Sequence, residues 1–561
     1  MRVLWALAAS TTLAAASAGA LPREIILPVE EFRDRLRGGW AGQMIGVSYG
    51  SVYEFVSNGK PILSPLRAWK PEYVGNSIFQ DDIYVEMTFL KTLERHGIRP
   101  THAQAGGDFR DSLYPLWHAN MAARTNLKAG ILPPRSGHPR WNPHADDIDF
   151  QIEADLFGLI APGLPRACGR LCDVFGSIMN YGDGLYGGQF VAGMYTQAYL
   201  EKEPTPAAVR RCIDAGLAMI PPASDYAKIL RDVIRLHAEN PGDWLKTWTA
   251  IEEKWAADDL CPEGQGRAFN IDAKLNGAYI ALGLLYGEAD FEKTLEITTR
   301  CGQDADCNPS NAAGVLGTLL GHSRIPSQFT EGIPALTGRK FQFTDYDYPE
   351  LVAACERVAR RLIQASGGRA AVRDGREVLI IPEQRPAAPR RAERMADFPR
   401  EDLRRWAEEF EQRRRDVQAK SIPVERWCAG WRIAALGAEM EPGVRRVFGV
   451  ANALVTHPVS RREPAVLERR VALPPGRPAL VLRVASFDGD QTADWLLRVL
   501  VDGQVAKSET VRSPGRWTEV TVDLSRWAGR EVRLRLENAA GGASEWSWEA
   551  GYWQAPEIRT E

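Results

Sequence analysis

Two aspartates separated by one residue lie in a Gly- and Asn-rich turn at 301–308. The segment reads Cys-Gly-Gln-Asp-Ala-Asp-Cys-Asn, so the carboxylates belong to Asp304 and Asp306. Carboxylate oxygens are the ligands that hard cations such as Mg²⁺ prefer, and one turn can direct both carboxylates at one point. The same residues also fit an ordinary Asx-rich turn that caps a helix. The turn alone leaves both interpretations open.

A second acidic pair, Asp81–Asp82, follows Gln80 where a helix is predicted to begin. Acids in a first helical turn suit the positive end of the helix dipole, which is the simpler explanation for them. A hard cation, however, needs several oxygen ligands, and neither pair supplies enough alone. Two pairs at two helix entrances could together hold one or two divalent cations.

A denser acidic run lies at 146–155. If this run is helical, Asp146 shares a face with Asp149, and Asp149 shares a face with Glu153. Like charges this close are unfavourable unless a cation or a proton intervenes, so a carboxyl group with a raised pKa could act as a general acid here. A solvated helix N-terminus is the alternative. The catalytic candidates of the run are Asp147, Asp149 and Glu153.

A loop at 180–188 contains four glycines and could line a sugar pocket. Asp183 would then accept a hydrogen bond from a hydroxyl group, and His144 could donate one. A plain connection between two helices and a structural histidine are the alternatives. The substrate-binding candidates are His144, Asn180, Asp183, Tyr186 and Gly187.

Helical periodicity dominates the chain up to about residue 363. The first predicted helix, 29–45, carries Phe32, Leu36 and Trp40 at helical spacing, and its glycines permit close packing or close approach of a ligand. The acids at 81–82 begin the second helix. Further helices are predicted at 103–129, 191–200, 207–219, 227–238, 244–255, 272–285 and 311–320.

The pattern changes after residue 366. A hairpin is predicted at 372–381, a Pro/Ala/Arg-rich linker at 382–391 and a charged helix at 401–418. Short alternating strands at 479–484, 496–501, 518–524 and 532–536 then predict a β-sandwich. The predicted fold class is therefore multidomain: a large all-α domain (24–365), a connecting region (366–424) and a β-sandwich (425–561).

Composition limits the partners and the compartment. The chain of 561 residues has a net charge of −3, which gives no indication of a nucleic-acid or anionic-membrane partner. Residues 1–20 read as a signal peptide, with Arg2, an apolar run and small residues at the end, and no later stretch is long and apolar enough to span a bilayer. We therefore expect a secreted or periplasmic protein. Its eight cysteines permit disulfides without requiring them.

The chain from 30 to 330 resembles the ADP-ribosylglycohydrolase family. The resemblance rests on the Gly-rich first helix (37–46), on Gln80-Asp81-Asp82 and on the turn at 302–308. It implies an all-α fold with Mg²⁺, one ion or two. It also implies a role for Glu54, at the position of a family glutamate associated with catalysis or closure over substrate, although an exposed loop glutamate is the alternative. The implied metal ligands are Gln80, Asp81, Asp82, Asp304 and Asp306.

Three positions depart from the family pattern. Gln80 stands where the family usually has Thr, and Cys307 where it usually has Thr or Ser. The first helix reads Gly-Gln-Met-Ile-Gly at 42–46 in place of Gly-Asp-Ala-x-Gly. Gln80 could still offer a carbonyl oxygen, but a thiol is a soft ligand that Mg²⁺ does not favour. The number and the identity of the metals therefore stay open.

The predicted sandwich resembles galactose-binding-like jelly-roll modules of carbohydrate-active enzymes, through 517–524, 528–532 and 552–553. Trp546 and Trp548 are candidates for stacking on a sugar. These resemblances predict an exported, metal-assisted glycosidase acting on a glycan or glycoconjugate. Hydrolysis of ADP-ribosyl bonds and non-catalytic sugar binding are the alternatives. The expected partner is a carbohydrate or an ADP-ribose-like small molecule.

Overall fold

The computed structural model describes residues 23–262, 264, 270–440, 442–488, 493–541 and 548–560, which form two compact units. The first unit comprises the described residues of Met1–Asp108, Asp146–Gly176 and Tyr181–Arg394. The second comprises those of Phe109–Ala145, Ser177–Asn180 and Met395–Glu561. The predicted helical domain followed by a β-sandwich is confirmed as the fold class. The units nevertheless cross the predicted limits at 365 and 424.

Helices make up most of the first unit and contribute three members to the second. In chain order they are α1 (Val29–Gly50), α2 (Asp81–His96), α3 (His102–Arg110), α4 (His118–Lys128), α5 (Asp149–Ile152), α6 (Asp155–Leu159), α7 (Pro165–Gly176), α8 (Asp183–Ala198), α9 (Pro206–Leu217), α10 (Asp225–Glu239), α11 (Trp244–Trp255), α12 (Ala273–Gly287), α13 (Phe291–Arg300), α14 (Cys307–Leu320), α15 (Ser327–Thr330), α16 (Tyr348–Ala365), α17 (Arg400–Ser421) and α18 (Val424–Trp427).

Strands form one small sheet in the first unit and two larger sheets in the second. They are β1 (Glu24–Pro28), β2 (Arg369–Arg373), β3 (Arg376–Pro382), β4 (Arg432–Ala435), β5 (Gly443–Val447), β6 (Val450–Thr456), β7 (Ala465–Ala472), β8 (Pro478–Ser486), β9 (Trp495–Val501), β10 (Gln504–Val511), β11 (Thr518–Asp523), β12 (Glu531–Ala539), β13 (Gly551–Trp553) and β14 (Glu557–Thr560).

Helices α1 and α14 pack backbone against backbone. A Cβ atom added to Gly42 would lie 2.0 Å from the carbonyl oxygen of Ala313, and one added to Gly50 would lie 2.0 Å from that of Ala305. Only glycine permits this approach, so the predicted close packing of the first helix is what the structure shows. The glycines form a ridge with a spacing of four, which keeps them on one helix face: Gly38, Gly42, Gly46 and Gly50.

Strand β1 pairs antiparallel with β3, which also pairs with β2, so the sheet order is β1-β3-β2. The predicted hairpin near 372–381 is therefore β2–β3, and it belongs to the first unit. Its partner strand β1 was not predicted, because five residues isolated at 24–28 carry too little alternation to be read as a strand.

The second unit contains the β-sandwich. One antiparallel sheet has the order β10-β9-β12-β7-β4, and the other has β11-β8-β13-β6-β5, with β14 on β8. Along β9, buried and half-buried residues alternate, as expected for a strand with one face on the core. Trp495, Leu534, Leu482 and Trp553 from both sheets meet in one hydrophobic core.

The segment 109–145 belongs to the same unit as residues 395–561. Arg413 on α17 donates to the side-chain oxygen of Asn126 on α4 at 2.9 Å, and Arg140 pairs with Glu409 at 2.6 Å. Because these contacts join distant parts of the sequence, no local pattern predicts them.

The predicted stacking tryptophans of the sandwich have different outcomes. Trp548 stacks on Phe487 with ring centroids 5.0 Å apart, so one of its faces is already covered. Trp546 lies outside the described residues.

All eight cysteines are free, so the structure contains no disulfide bond between them. Within the described part of the chain, no helix is both long and apolar enough to cross a membrane.

Candidate metal centre

Backbone hydrogen bonds hold the loop after α1 against the acidic turn before α14. The amide of Phe55 donates to the carbonyl of Gln303 at 2.9 Å, and the amide of Gln303 donates to the carbonyl of Ser57 at 2.8 Å. Gly302 has a φ of +79°, and a Cβ atom there would lie 2.3 Å from the Ser57 carbonyl oxygen. A glycine at this point therefore lets the loop bring Glu54 beside the turn.

A buried polar network fixes the turn from behind. Gln303 adopts a φ of +54°, an uncommon conformation for a residue other than glycine. Its side-chain oxygen accepts from Asn276 at 3.2 Å, and its side-chain nitrogen donates to Glu252 at 3.3 Å. Asn308, in the first turn of α14, donates to Asn276 at 2.8 Å. These amides lock the backbone that carries Asp304 and Asp306.

The second acidic pair begins α2, as the sequence predicts. Gln80 is the N-cap residue in an extended conformation, and its side chain makes no capping hydrogen bond. Asp81 is half-buried, and Asp82 is 0 % exposed. Burial raises the pKa of Asp81, while hydrogen bonds from the backbone amides of Asp81 and Asp82 oppose that rise.

Asp82 of the α2 pair meets the two aspartates of the turn and the loop glutamate at one place. Carboxylate oxygens of Glu54, Asp304 and Asp306 lie within 4.8 Å of one another. An oxygen of Asp82, an oxygen of Asp306 and the sulfur of Cys307 form a second such group. The five residues thus make one cluster, and we call it the acid centre: Glu54, Asp82, Asp304, Asp306 and Cys307.

The carboxyl groups of the acid centre are crowded and poorly compensated. Burial raises the pKa of Asp304 to about 8, with the charges of Glu54 and Asp82 adding to the rise and a hydrogen bond with Asp306 opposing it. The pKa of Glu54 also rises to about 8, through desolvation and then the charges of Asp306 and Asp81. Burial and then neighbouring carboxylates raise the pKa of Asp82 and of Asp306 well above the usual range.

Several oxygens of the acid centre have no hydrogen-bond donor. Apart from the nearby Cys307 thiol, neither oxygen of Asp82 has a partner among the described residues, and Oδ1 of Asp304 has none. Orphaned buried carboxylate oxygens are costly unless a proton or a cation compensates them. Since oxygen donors converge here without a balancing positive charge from the described residues, the arrangement fits a divalent cation.

A second group of buried acids lies elsewhere in the first unit and contains its own counter-ion. Asp272 caps α12 and forms a buried ion pair with Lys274. The amide of Ala273 donates to the carbonyl of Asp146 at 3.1 Å. Burial raises the pKa of Asp146 well above the usual range; the charge of Asp183 adds to this, and that of Lys274 opposes it. We call this group the lysine-compensated cluster: Asp146, Asp183, Asp272 and Lys274.

The predicted helical spacing of the acids at 146–155 is wrong. Asp146 lies in a turn, Asp147 forms an isolated antiparallel bridge with Asp272, and α5 comprises only Asp149–Ile152. The backbone of Asp146 and Asp147 contacts Ala273 and Asp272 and does not continue into a helix. Asp147 and Glu153 are fully buried, and Asp149 is nearly so. The catalytic roles of these three residues stay predictions.

The predicted sugar-lining loop at 180–188 is mostly helix. Gly182, at φ +57°, ends the loop, and α8 begins at Asp183. Oδ1 of Asp183 accepts from the amide of Tyr226 at 3.1 Å, and the Tyr186 hydroxyl accepts from the amide of Glu393 at 2.8 Å. A Cβ atom on Gly187 would lie 2.6 Å from Oε1 of Gln151. These contacts hold the fold, and the predicted substrate contacts stay predictions.

Two other substrate-binding candidates belong to the second unit. The amide of His144 donates to the side-chain oxygen of Asn142 at 3.0 Å, and its ring meets that of His118 edge-on at 5.5 Å. Asn180 donates to the carbonyl of Ala145 at 3.0 Å. Both residues are buried, and their substrate roles stay predictions as well.

The family model of the ADP-ribosylglycohydrolases matches residues 28–371 of this chain. The chain belongs to the ADP-ribosylglycohydrolase family. The matched region covers the acid centre with both helices that carry it, so the resemblance in the glycine-rich helix and the two acidic pairs is confirmed at the level of the family. Family membership supports hydrolysis of a glycosyl bond.

Solved structures give weaker similarities. An ADP-ribosylglycohydrolase-related protein complex is 17 % identical over 59 % of this chain and 99 % of that chain, with a TM-score of 0.38. A family 35 carbohydrate binding module from Clostridium thermocellum is 17 % identical over 24 % of this chain and 89 % of that chain, with a TM-score of 0.16. No curated protein matches the chain.

Sequence reasoning missed three buried residues of the matched region: Glu86, Asp272 and Lys274. Glu86 stands four residues after Asp82, so helical spacing could have placed it on the same face; its Oε2 accepts from the amide of Leu156 at 2.9 Å. Asp272, with Lys274, opens α12 in the manner of an N-cap. The N-cap pattern at Asp272 is a local signal that could have been recognised. The pairing of Asp272 and Ala273 with Asp147 and Asp146 joins distant parts of the sequence, so no local pattern predicts it.

Proposed function

We propose that this protein is an exported glycosidase that hydrolyses a glycosidic bond of a glycan or glycoconjugate with the help of a bound divalent cation. Membership of the ADP-ribosylglycohydrolase family supports glycosyl-bond hydrolysis. The observation that carries the proposal is the acid centre, where carboxylate oxygens converge within 4.8 Å. Among the residues that the structure describes, only the Cys307 thiol offers the buried oxygens of Asp82 a hydrogen bond.

The residues that would hold the cation are the two acidic pairs, Asp81–Asp82 and Asp304 with Asp306, together with an oxygen of Gln80. Mg²⁺ is the ion that the family resemblance implies. A bound divalent cation supplies positive charge that can orient sugar hydroxyls and stabilise negative charge near the anomeric carbon. The chain itself contributes a rigid frame, because the Gln303 network and the α1–α14 contact fix the backbone under these side chains.

Glu54 is the carboxyl group of the acid centre that a substrate can reach. It lies on an exposed loop, whereas Asp82, Asp304 and Asp306 are buried. A protonated Glu54 would donate its proton to the leaving glycosidic oxygen as the bond between that oxygen and the anomeric carbon breaks. A second carboxylate would take a proton from the water whose oxygen attacks that carbon.

The other catalytic candidates fit a supporting role better. Asp147 and Glu153 are fully buried, so a sugar ring could contact them only after a rearrangement of the fold. Asp149 is almost as buried. We therefore assign substrate contact to Glu54 first and keep these three as positioning residues. The proposed substrate-binding residues are unchanged: His144, Asn180, Asp183, Tyr186 and Gly187.

Two features favour an extracellular glycan over an ADP-ribosylated protein. The sequence at 1–20 has the charge and apolar pattern of a signal peptide, and NAD-derived substrates are scarce outside the cytoplasm. A β-sandwich follows the helical unit in the chain, and a sugar-binding role for it would hold the enzyme on a polymer.

The decisive experiment is sugar release from a panel of plant and microbial glycans by the full chain, with added Mg²⁺ and after EDTA treatment. We expect release from at least one glycan, its loss in EDTA and its recovery on addition of a divalent cation. Asp304→Asn should abolish release, and the surface-helix variant Asp214→Asn should not. Release that is unaffected by EDTA and by Asp304→Asn would refute the metal-assisted site.

The second candidate function is hydrolysis of ADP-ribosyl bonds, which the family match itself favours. ADP-ribosyl-arginine and O-acetyl-ADP-ribose are the probes, assayed under the same two conditions. Turnover of either probe without turnover of any glycan would replace our proposal with this one. Cation binding without turnover of any probe would favour a non-catalytic sugar-binding protein.

A further inference from the structure

Cys307 lies among the carboxylates of the acid centre rather than simply in the core. Its sulfur, an oxygen of Asp82 and an oxygen of Asp306 lie within 4.8 Å of one another. Three atoms so placed share a centre at most about 2.8 Å from each (4.8 Å divided by √3). Bonds from zinc to sulfur and to carboxylate oxygen are about 2.3 Å and about 2.0–2.2 Å, so only a small contraction separates these atoms from coordination distance.

A second observation at the same place points to a ligand. Asp82 is 0 % exposed, and both of its oxygens lack a hydrogen-bond donor among the described residues other than the Cys307 thiol. By contrast, Cys301 in the same turn already has a partner, since its sulfur donates to the carbonyl of Ile297 at 3.3 Å. Of these two cysteines, only Cys307 stands in a group of ligand atoms.

We propose that Cys307 is a metal ligand and that the acid centre selects a thiophilic divalent cation such as Zn²⁺, Co²⁺ or Cd²⁺ over Mg²⁺. This inference rests on the proposed function only in requiring a cation at that site. Soft sulfur ligands favour zinc and its neighbours, whereas Mg²⁺ takes oxygen ligands in a strict octahedral arrangement. One thiolate with two carboxylates is a donor set that suits the first class of ion.

The position of Cys307 also directs its thiol toward the carboxylates, where it can bind a metal ion. It is the first residue of α14, and its amide donates to Oδ1 of Asp306 at 2.9 Å, so the backbone at this point is fixed. On its other side the residue packs against Ile148, Ile152 and Ile271. That apolar wall excludes water and leaves the carboxylate side as the direction in which the sulfur finds a polar partner.

The test is a cobalt titration of the EDTA-treated full chain, read by absorbance. We expect a near-ultraviolet sulfur-to-cobalt charge-transfer band together with the visible bands of bound Co²⁺. Cys307→Ser and Cys307→Thr should lose the charge-transfer band and keep cobalt binding. In calorimetric titrations, the ratio of Cd²⁺ to Mg²⁺ affinity should fall in both variants by at least about tenfold, the lower limit of changes produced even by residues outside the ligand set.

Cys301→Ser is the matched control, because it removes a buried thiol from the same turn without touching the ligand group; it should keep the band and the affinity ratio. Cobalt bound by the wild type without the band, or a band that persists in both Cys307 variants, overturns this inference and leaves the metal-assisted glycosidase standing. Failure of the wild type to bind Co²⁺, Cd²⁺ and Mg²⁺ overturns the inference and the proposed metal site together.

Discussion

The first unit contains two clusters of buried acids that solve the same electrostatic problem differently. In the lysine-compensated cluster, Lys274 pairs with Asp272, and its charge also opposes the pKa rise of Asp146 and Asp183. In the acid centre, the charges that act most strongly on Glu54 and Asp306 are other carboxylates. The first cluster contains a positive charge of its own, although Oδ1 of Asp146 lacks a hydrogen-bond partner among the described residues. No cationic side chain is among the groups that act most strongly on the carboxyl groups of the acid centre.

The presence or absence of a lysine counter-ion distinguishes structural acids from functional ones better than a raised pKa alone does. Each cluster contains buried carboxyl groups with raised pKa values, such as Asp183 and Asp304. A fold that needs acids only for its own contacts can satisfy them with lysine and backbone amides, as at Asp272. In the acid centre, unsatisfied oxygens of Asp82 and Asp304 coincide with the absence of any cationic side chain among the groups acting most strongly on them, which favours a site that binds something from outside.

The strongest test of the contrast removes one carboxylate from the acid centre. Asp82→Asn and Asp304→Asn should each lower kcat/KM on the identified substrate by about 10⁴-fold, equivalent to about 5 kcal/mol of transition-state stabilisation, because the cation is lost or misplaced. Steady-state kinetics and cation titration check both variants. Wild-type kinetics in either variant would remove the acid centre from the reaction.

Removal of the built-in counter-ion should act on stability instead. Lys274→Met leaves Asp272 buried and unpaired, which should lower the free energy of unfolding of the first unit by about 3–5 kcal/mol. Denaturant unfolding measures this loss. Cation affinity, measured by calorimetry on the folded variant, should stay within about threefold of the wild type; a large drop would mean that the clusters are not independent.

Cation binding should stabilise the folded protein through the acid centre. At a free concentration of about 100 times Kd, the free energy of unfolding should rise by about 2.7 kcal/mol, since the ion binds the folded state preferentially. Asp82→Asn should abolish this increment. Asp183→Asn, from the other cluster, should keep it, and equal increments in all three proteins would place the cation elsewhere.

The smallest effect is a pH dependence that belongs to the lysine-compensated cluster. Burial raises the pKa of Asp183 from 3.8 to about 7, opposed by the charge of Lys274 and the amide of Tyr226. Because the folded-state pKa is the higher one, the contribution of this group is present below about pH 4 and is lost as pH rises toward 7. The slope should reach at most about 1.4 kcal/mol per pH unit.

Asp183→Asn should flatten this slope between pH 4 and 7 in denaturant unfolding measured across that range. The variant keeps a side-chain oxygen that can accept from Tyr226 but cannot ionise. Asp214→Asn, on the exposed face of α9, serves as the control and should leave the slope unchanged. An unaltered slope in Asp183→Asn would assign the pH dependence to another buried acid.

Local patterns predicted the parts of the site and not its surroundings. The helix at 29–45, the acids at the start of α2 and the turn before α14 could be read because caps, glycine spacing and periodicity are local signals. The acids at 146–155 were misread as helix because their backbone is committed to Asp272 and Ala273, more than a hundred residues away in the chain.

The division into units was also beyond sequence reasoning. The segment 109–145 looks like one more stretch of the helical region, yet its Asn126, Arg140 and Trp141 contact residues of α17. The helices α13 and α16 were not predicted, although α16 has a capping box of Asp347 and Glu350 that local reading could have recognised. Contacts between distant segments depend on which surfaces are buried together in the folded protein. The periodicity of a sequence does not carry that information.

The glycine ridge of α1 makes the site sensitive to positions far from it. Gly38 and Gly50 are twelve residues apart, which is about 18 Å along a helix. A methyl group at either end would have to separate two backbones, and a rigid helix would pass that displacement to the loop that carries Glu54 and to the turn of Asp306. Sequence changes at the remote end of the first helix should therefore be as harmful to activity as changes beside the carboxylates.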